Sequence, residues 1–375
     1  MTHSGTAMLA LALVAALAAC DAGPRGDASA GAADTTRWSL GPAEVRVGGG
    51  AAGDELDRVY AGVLLADGSF VVGNSGTSEL RWFDSSGRRM RVSGRTGSGP
   101  GEFRGINWMA ALSADSLLVF DLRQQRFSVW TPSGEFARTF MAQTPPGPLR
   151  PLGVLADGSM VVARESRYDP RSGAGVVRDS MQVLHVSRTG EVMRTLGSFA
   201  GAEWLIYDHP SSFRATQLPF GRVGHVAVAG DHVVVGSSES GSLSVLDREG
   251  RRLRTVDVDA RPRAVSRRQI DTVLEQIPDR AERAALERHY RADGASAASV
   301  FTALRGDDAG NVWIRLAPAA GRDTVKWVVL SADGVRVGSV GMPSGWWPLD
   351  VRDDRVLLRE TDADGVQAVS VRTLR

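Results

Sequence analysis

Cysteine is almost missing from this chain. The single copy, Cys20, rules out an internal disulfide and leaves no Cys partner for a metal inside a fold. Net charge is nearly missing as well: 44 Lys and Arg against 43 Asp and Glu leave +1, so no global field argues for nucleic acid or acidic lipid. Lysine is reduced to Lys326, and the arginines are spread along the whole chain, which reads as genome base composition rather than phosphate recognition. The histidines are His3, His185, His209, His225, His232 and His289, and none has another at metal-ligand spacing. No Gly-x-Ser-x-Gly elbow is present, and Ser, His and Asp are too dispersed to suggest a triad.

What is present is repetition. A short phrase recurs as Phe83-Asp84-Ser85-Ser86-Gly87, Trp130-Thr131-Pro132-Ser133-Gly134, Val186-Ser187-Arg188-Thr189-Gly190, Leu246-Asp247-Arg248-Glu249-Gly250 and Leu330-Ser331-Ala332-Asp333-Gly334. An apolar residue, a turn-forming polar residue, two variable positions and a glycine describe a hairpin whose glycine takes positive φ. Upstream of each copy lies another turn, marked by Asp67, Asp115, Asp157, Asp231 and Asp308, with a sixth at Asp353. Apolar, β-branched runs such as Phe70-Val71-Val72 and Val312-Trp313-Ile314 follow these turns. One repeat is strand, turn, strand, link, strand, turn, strand, which is the make-up of a propeller blade.

The marker spacings are 48, 42, 74, 77 and 45 residues. Three suit a propeller repeat, and the two long ones call for insertions. One comprises an Arg/Ser/Asp-rich stretch at Arg164–Ser180 and a loop at Ala200–Gly221. The other, about residues 264–292, carries capping-box spacings at Ser266/Gln269 and Asp279/Glu282, with Ile270, Val273, Leu274 and Ile277 on one helical face. It is expected to be an amphipathic helical hairpin on the rim. Six first turns against five second turns leave the last blade one strand short. Glu44–Gly48 is expected to complete it against Gln367–Arg375, protecting the edge. The fold class expected is all-β, a six-bladed β-propeller over residues 38–375 closed by the N-terminal strand, with a small helical insertion between blades 4 and 5. A β-sandwich with an extra domain is the competing arrangement.

At the N-terminus the apolar run Met8–Ala16 leads into Leu17-Ala18-Ala19-Cys20. This resembles the bacterial lipoprotein lipobox, which implies a signal peptide over 1–19, cleavage after Ala19 and a lipid anchor on Cys20. Residues 20–37 begin a Gly/Ala/Asp/Ser-rich tract with too little apolar surface to fold, read as a flexible tether. The implied location is the bacterial cell envelope, with the domain facing the periplasm or exterior.

The string Gly94-Arg95-Thr96-Gly97-Ser98-Gly99-Pro100-Gly101-Glu102-Phe103 resembles an element of bacterial six-bladed β-propeller lipoproteins related to NHL-repeat propellers. The likeness extends through Asp121 and Arg126–Val129, Leu218–Arg222 and Gly310–Ile314, covering residues 43–375. It implies fold and envelope location and carries no catalytic residue across.

Candidate sites are few. The Gly94–Gly101 loop lacks the Gly-Lys-Ser/Thr of a phosphate-binding loop and precedes a strand, so it reads as a tight link in which Glu102 caps backbone amides. Asp121 and Arg126 flank a strand connection and suggest an ion pair pinning the blade. Trp204, Tyr207, His209 and Phe213, on the loop of the first insertion, are candidates for ligand or partner contact. His225 precedes an innermost-strand run and is the candidate channel residue. The expected role is a lipid-anchored, monomeric binding or scaffold module for protein partners, without nucleic acid. The alternative is an NHL- or lactonase-like enzyme with a metal in the central channel. No cofactor is expected from the residues, and channel calcium or zinc stays open.

Overall fold

The structure, a computed structural model, describes residues 36–50, 54–113, 116–165, 173–209, 212–292, 297–318 and 322–375. The signal segment, Cys20 and most of the tether lie outside the described residues. The rest is all-β apart from two short helices.

Among the described residues six sheets of four or five strands follow one another along the chain, antiparallel except for one edge pair, beside a two-stranded parallel ladder of Arg95–Thr96 with Glu102–Phe103. The first is built from Val59–Leu64, Phe70–Asn74, Glu79–Phe83 and Arg89–Ser93; the second from Ile106–Ser113, Ser116–Asp121, Arg126–Trp130 and Phe136–Phe140. The third uses Leu149–Val154, Met160–Glu165, Gly175–Val186, Val192–His209 and Ser212–Gln217, and the fourth Gly224–Ala229, His232–Ser237, Ser242–Leu246 and Arg252–Asp257. The fifth contains Phe301–Gly306, Val312–Leu316, Thr324–Leu330 and Arg336–Pro343. The sixth takes Trp346–Arg352, Arg355–Thr361 and Gln367–Leu374 from the end of the chain and Leu40–Gly48 from its start. The pairing is antiparallel, with Val45 opposite Val371 and Val47 opposite Val369.

The repeated phrase does what its chemistry demands. Asp84 accepts hydrogen bonds from the backbone of Ser86 (3.0 Å) and Arg88 (3.0 Å), and Asp247 does the same for Glu249 and Arg251. Where the position is Thr or Ser, the hydroxyls of Thr131, Ser187 and Ser331 accept from the amide four residues on. The closing glycines are left-handed in all five copies, at φ 84° in Gly87 and Gly334, 76° in Gly134, 98° in Gly190 and 83° in Gly250.

Alternation along each strand feeds two cores. Phe70 and Val72 point toward the sixth sheet, while Val71 between them points toward the second. All three are essentially inaccessible, each contributing about 1.5–3 kcal/mol by burial. Strands buried on both faces therefore read as unbroken apolar runs rather than alternating ones. Six such cores exist, joining first to second sheet, second to third, third to fourth, fourth to fifth, fifth to sixth, and sixth to first. Fourth strands such as Arg89–Ser93 lie outermost and are mostly exposed.

Three local features differ from the sequence reading. The described part of the first insertion is strand, not loop: Gly175–Val186 and Val192–His209 form one long hairpin, extended by Ser212–Gln217. Its signal was the short apolar run Trp204–Tyr207, broken off on both sides by Gly, Ser and charged residues. Arg37–Trp38, assigned to the tether's end and the first domain residue, pairs parallel with Ser339–Val340 on the fifth sheet. Asp121 and Arg126 are cross-strand neighbours, yet each bonds to backbone instead of to the other. The Asp121 carboxylate accepts from the amides of Arg104, Arg123 and Gln124, while Arg126 donates to the carbonyls of Ser98, Gly99 and Glu102. Tight turns leave more unpaired amides and carbonyls than one ion pair could answer. Glu102 caps the Gly99 amide at 2.7 Å.

The helical pair consists of α1 (Arg267–Glu275) and α2 (Arg280–Ala292). Ser266 and Gln269 form a reciprocal capping box, and Asp279 accepts from the Glu282 amide at 2.9 Å. Ile270 and Leu274 of α1 and Ala285, Leu286 and Tyr290 of α2 pack against Leu205, Tyr207 and Leu218 of the third-sheet hairpin. The two insertions thus share one core of their own.

Candidate binding site

The first strands begin at Val59, Ile106, Leu149, Gly224, Phe301 and Trp346, of which Val59, Ile106, Leu149 and Phe301 are buried and Gly224 and Trp346 half-buried. The second residues are Tyr60, Asn107, Arg150, His225, Thr302 and Trp347. Their neighbours tie this rung together. Arg150 acts electrostatically on His225, and Arg315 donates to the Thr302 hydroxyl at 2.8 Å while its guanidinium lies 5.7 Å from the centre of the Trp347 ring. Arg359, opposite Trp347 in register, donates to the Val59 carbonyl at 2.9 Å. At the other end of the same strands a cavity of about 400 Å³ is lined by residues from all six sheets, among them Ala66, Leu112, Ala156, Gly230, Asp308 and Arg352. Between the ends, Arg305 and Asp350 face each other at 3.7 Å, with Asp350 also accepting from the Leu64 amide at 2.9 Å.

The electrostatics of this axis are those of desolvated cations. Burial pushes His225 down to about 4, and Arg150 adds to the effect, so the imidazole is neutral. Burial alone lowers Arg315; burial lowers Arg359 against a small opposing effect of Tyr60. Burial raises Asp350 and lowers Arg305, each partly offset by the other's charge. The Arg305 and Asp350 side chains keep 29% and 24% of their surface open, so the pair is only partly withdrawn from solvent. The Nε groups of Arg305, Arg315 and Arg359 are buried without a hydrogen-bond partner.

A second concave region lies between the insertions. A cleft of about 550 Å³ is bordered by Val176, Glu203, Arg222, Glu239, His289 and Tyr290. Arg222 bonds to Glu203 (2.6 Å) and to Glu239 (3.2 Å), and Arg178 bonds to Glu239 (3.1 Å). Burial pushes Glu203 and Glu239 upward, but these arginines leave both below the usual carboxylate range. Two cations and two anions balance within the wall, so the cleft offers hydrogen bonds and shape rather than an acid or base near neutrality. An adjoining cavity of about 400 Å³ is lined by Tyr207, Asp208, Ala285, Arg288 and His289.

The four aromatic-hairpin candidates all lie on the extended hairpin but do not form one surface. Trp204 donates to Asp179 at 2.9 Å, and Tyr207 is buried beneath the helices. His209 stands opposite Ser212 near the hairpin's end, and Phe213 is 42% exposed. His225 occupies the inner rung, with its ring 5.3 Å from Phe301. Sequence reasoning missed the other five members of that rung and the arginines above it, since they share a position and not a residue type. The available signal was the offset of one residue after each first-strand start. Among the described residues no group of three or more His, Cys, Asp and Glu could hold a metal, and no helix is long and apolar enough to cross a membrane.

No family model matches the chain, and no curated protein matches it. Solved structures do. A member of the DUF4221 family from Bacteroides vulgatus ATCC 8482 superposes with a TM-score of 0.51 at 13% identity, covering 91% of this chain and 99% of that one. A protein of Bacteroides fragilis NCTC 9343, named for its inferred export, gives 0.50 at 10% identity over 90% of this chain and 95% of that one. The calcium-binding protein regucalcin from Agrobacterium tumefaciens strain C58 gives 0.42 at 13% identity over 90% and 96%. With the two Bacteroides likenesses beside the succession of sheets, the fold is all-β and propeller-like.

Proposed function

We propose that this chain is a lipid-anchored cell-envelope protein whose six sheets are the blades of one closed six-bladed propeller, and that it works as a binding module for a protein partner. Support for six blades is the cyclic order of the cores, each shared by two consecutive sheets and the last shared by the sixth and the first. Pairing of Leu40–Gly48 with Gln367–Leu374 supports closure by the N-terminal strand. The anchor rests on the apolar run before Cys20.

The observation that carries the binding role is the shared core of the two insertions. Four sheets lack such additions, whereas the long hairpin and α1–α2 bury Tyr207, Leu274 and Leu286 together and frame the 550 Å³ cleft. A rigid scaffold that elaborates one region in this way places recognition there. Val176, in the cleft wall, is 44% exposed, and Phe213, opposite Asp208 farther along the same hairpin, is 42% exposed; both offer apolar anchors. Chemical crosslinking in native membranes tests the reading. A partner crosslinked to the wild-type chain should be lost in Val176→Asp/Phe213→Asp and kept in Arg88→Gln, which alters a distant exposed turn. An unchanged set of crosslinked proteins would refute it. Separately, Cys20→Ala should abolish lipid labelling and release the protein from membranes.

A further inference from the structure

The inner rung holds positive charge that the described residues around it do not answer. Arg150 has Glu165 at 3.4 Å, and Arg305 deeper in has Asp350. Arg315 and Arg359 have no carboxylate within ion-pair distance among the described residues, and burial is the dominant influence on each. Each spends one Nη on a neutral acceptor, the Thr302 hydroxyl and the Val59 carbonyl, and keeps a buried Nε with no partner. A guanidinium has five N–H donors in a planar fork, and a buried one left unpaired, as the Nε is here, costs free energy. Trp347 links the two: the Arg315 guanidinium lies over its ring, and Arg359 is its cross-strand partner. Both arginines therefore belong to the same level of the axis, beside Thr302 and Tyr60. The neutral His225 and Asn107 complete the rung without adding a negative group.

We infer that this mouth binds a small oxyanion, a carboxylate or phosphate group presented by a small molecule, between the guanidinium groups of Arg315 and Arg359. A planar fork matches such an anion through paired hydrogen bonds, and the Trp347 face holds the Arg315 fork in orientation. The Arg305–Asp350 pair below is already balanced, so the anion stops at the mouth. This site is independent of the insertion cleft, and the test leaves that cleft untouched.

The probes are succinate and inorganic phosphate, titrated by calorimetry into the full-length chain in detergent, with sodium chloride holding ionic strength constant. Saturable binding of at least one is expected, weakened at least tenfold by Arg315→Gln and by Arg359→Gln, less by Arg315→Lys, and not by Arg88→Gln. Should the glutamine variants fail to fold, phenylglyoxal labelling of the wild-type chain serves. The bound anion should protect Arg315 and Arg359 and leave Arg88 reactive. Binding of neither anion, unchanged affinity in both glutamine variants, or labelling of Arg315 and Arg359 unaffected by either anion would overturn the inference. So would saturation of the mouth only by an acidic protein partner.

Discussion

Asp121 offers the sharpest test of how a strand connection is held. Its side chain is 1% exposed and accepts from the amides of Arg104 (2.6 Å), Arg123 (2.9 Å) and Gln124 (3.0 Å), and from the Gln124 side chain (2.8 Å). Replacing it with alanine leaves three backbone donors without partners. At about 1–3 kcal/mol for each unpaired donor, with water entry recovering part, the loss should be about 3–5 kcal/mol. That is a large share of the about 5–15 kcal/mol typical of a folded domain. Asp121→Asn keeps an acceptor but turns an NH₂ toward donors, and should cost about 2–3 kcal/mol. Arg126→Ala loses bonds to carbonyls that lie nearer solvent and should cost about 1 kcal/mol. Urea unfolding of the single variants and of Asp121→Asn/Arg126→Ala measures the coupling directly. The geometry calls for a coupling below about 1 kcal/mol, since neither side chain bonds to the other. A coupling of about 2 kcal/mol or more, or a loss under about 1 kcal/mol for Asp121→Ala, would refute this account.

Acid adds a second arm to the same experiment. Burial pushes Asp121 upward, but the amides of Arg104, Gln124 and Gly105 and the Gln124 side chain outweigh it, leaving the carboxyl below its ordinary range. A depressed folded value means the contribution is complete above the unfolded pKa of about 3.9 and fades as pH falls through the folded value. Asp121→Asn should lack that fading.

His225 carries the opposite chemistry. Its folded value of about 4 lies below the ordinary 6.5, so the unfolded chain binds more protons between those limits and stability should rise with pH there. His225→Gln should flatten that rise in unfolding curves, and NMR titration should show a neutral ring down to about pH 5. Leu286→Ala empties a fully buried place in the core shared by α2 and the hairpin, costing about 2–5 kcal/mol locally. Limited proteolysis should then cut within residues 264–292 while the sheets stay intact. Lys326 is exposed and is the only lysine, so a lysine-directed reagent should modify one side chain. Burial, Arg336 and Arg37 lower its pKa, which should make it react faster at pH 8 than a free lysine.

The turns were legible because Asp, Ser or Thr followed by Gly three residues on has a local mechanism, visible in Asp84 and Gly87 alike. Glu44–Gly48 could be placed against Gln367–Arg375 because one turn was missing from a periodic series, and the paired strands run over Leu40–Gly48 and Gln367–Leu374. The helical pair announced itself through Ser266 and Gln269. By contrast, Arg37–Trp38 is too short to show periodicity, and its docking rests on tertiary contacts: the ladder with Ser339–Val340 and the Trp38–Trp313 contact, 6.0 Å between ring centres. The inner rung was illegible for a deeper reason. Tyr60, Asn107, Arg150, His225, Thr302 and Trp347 share no chemistry, and only the convergence of six distant strands makes them neighbours.

Pairing of the first long strand with the last also sets a timetable. Arg372 donates to the carbonyl of Gly41 across 331 positions of sequence. At ribosomal speeds of about 5–20 residues per second, Leu40–Gly48 exists for roughly 17–66 s before its partner is made. Throughout that interval Val45 and Val47 lack the Val369 and Val371 side of their core, and the ladder edge of the strand stays open. Leu40–Gly48 thus waits longer for its partner than Arg37–Trp38, which precedes it and pairs with Ser339–Val340. Any factor that shields nascent chains would have most to do at this segment, and a slip in the final strand would be felt first beside the tether.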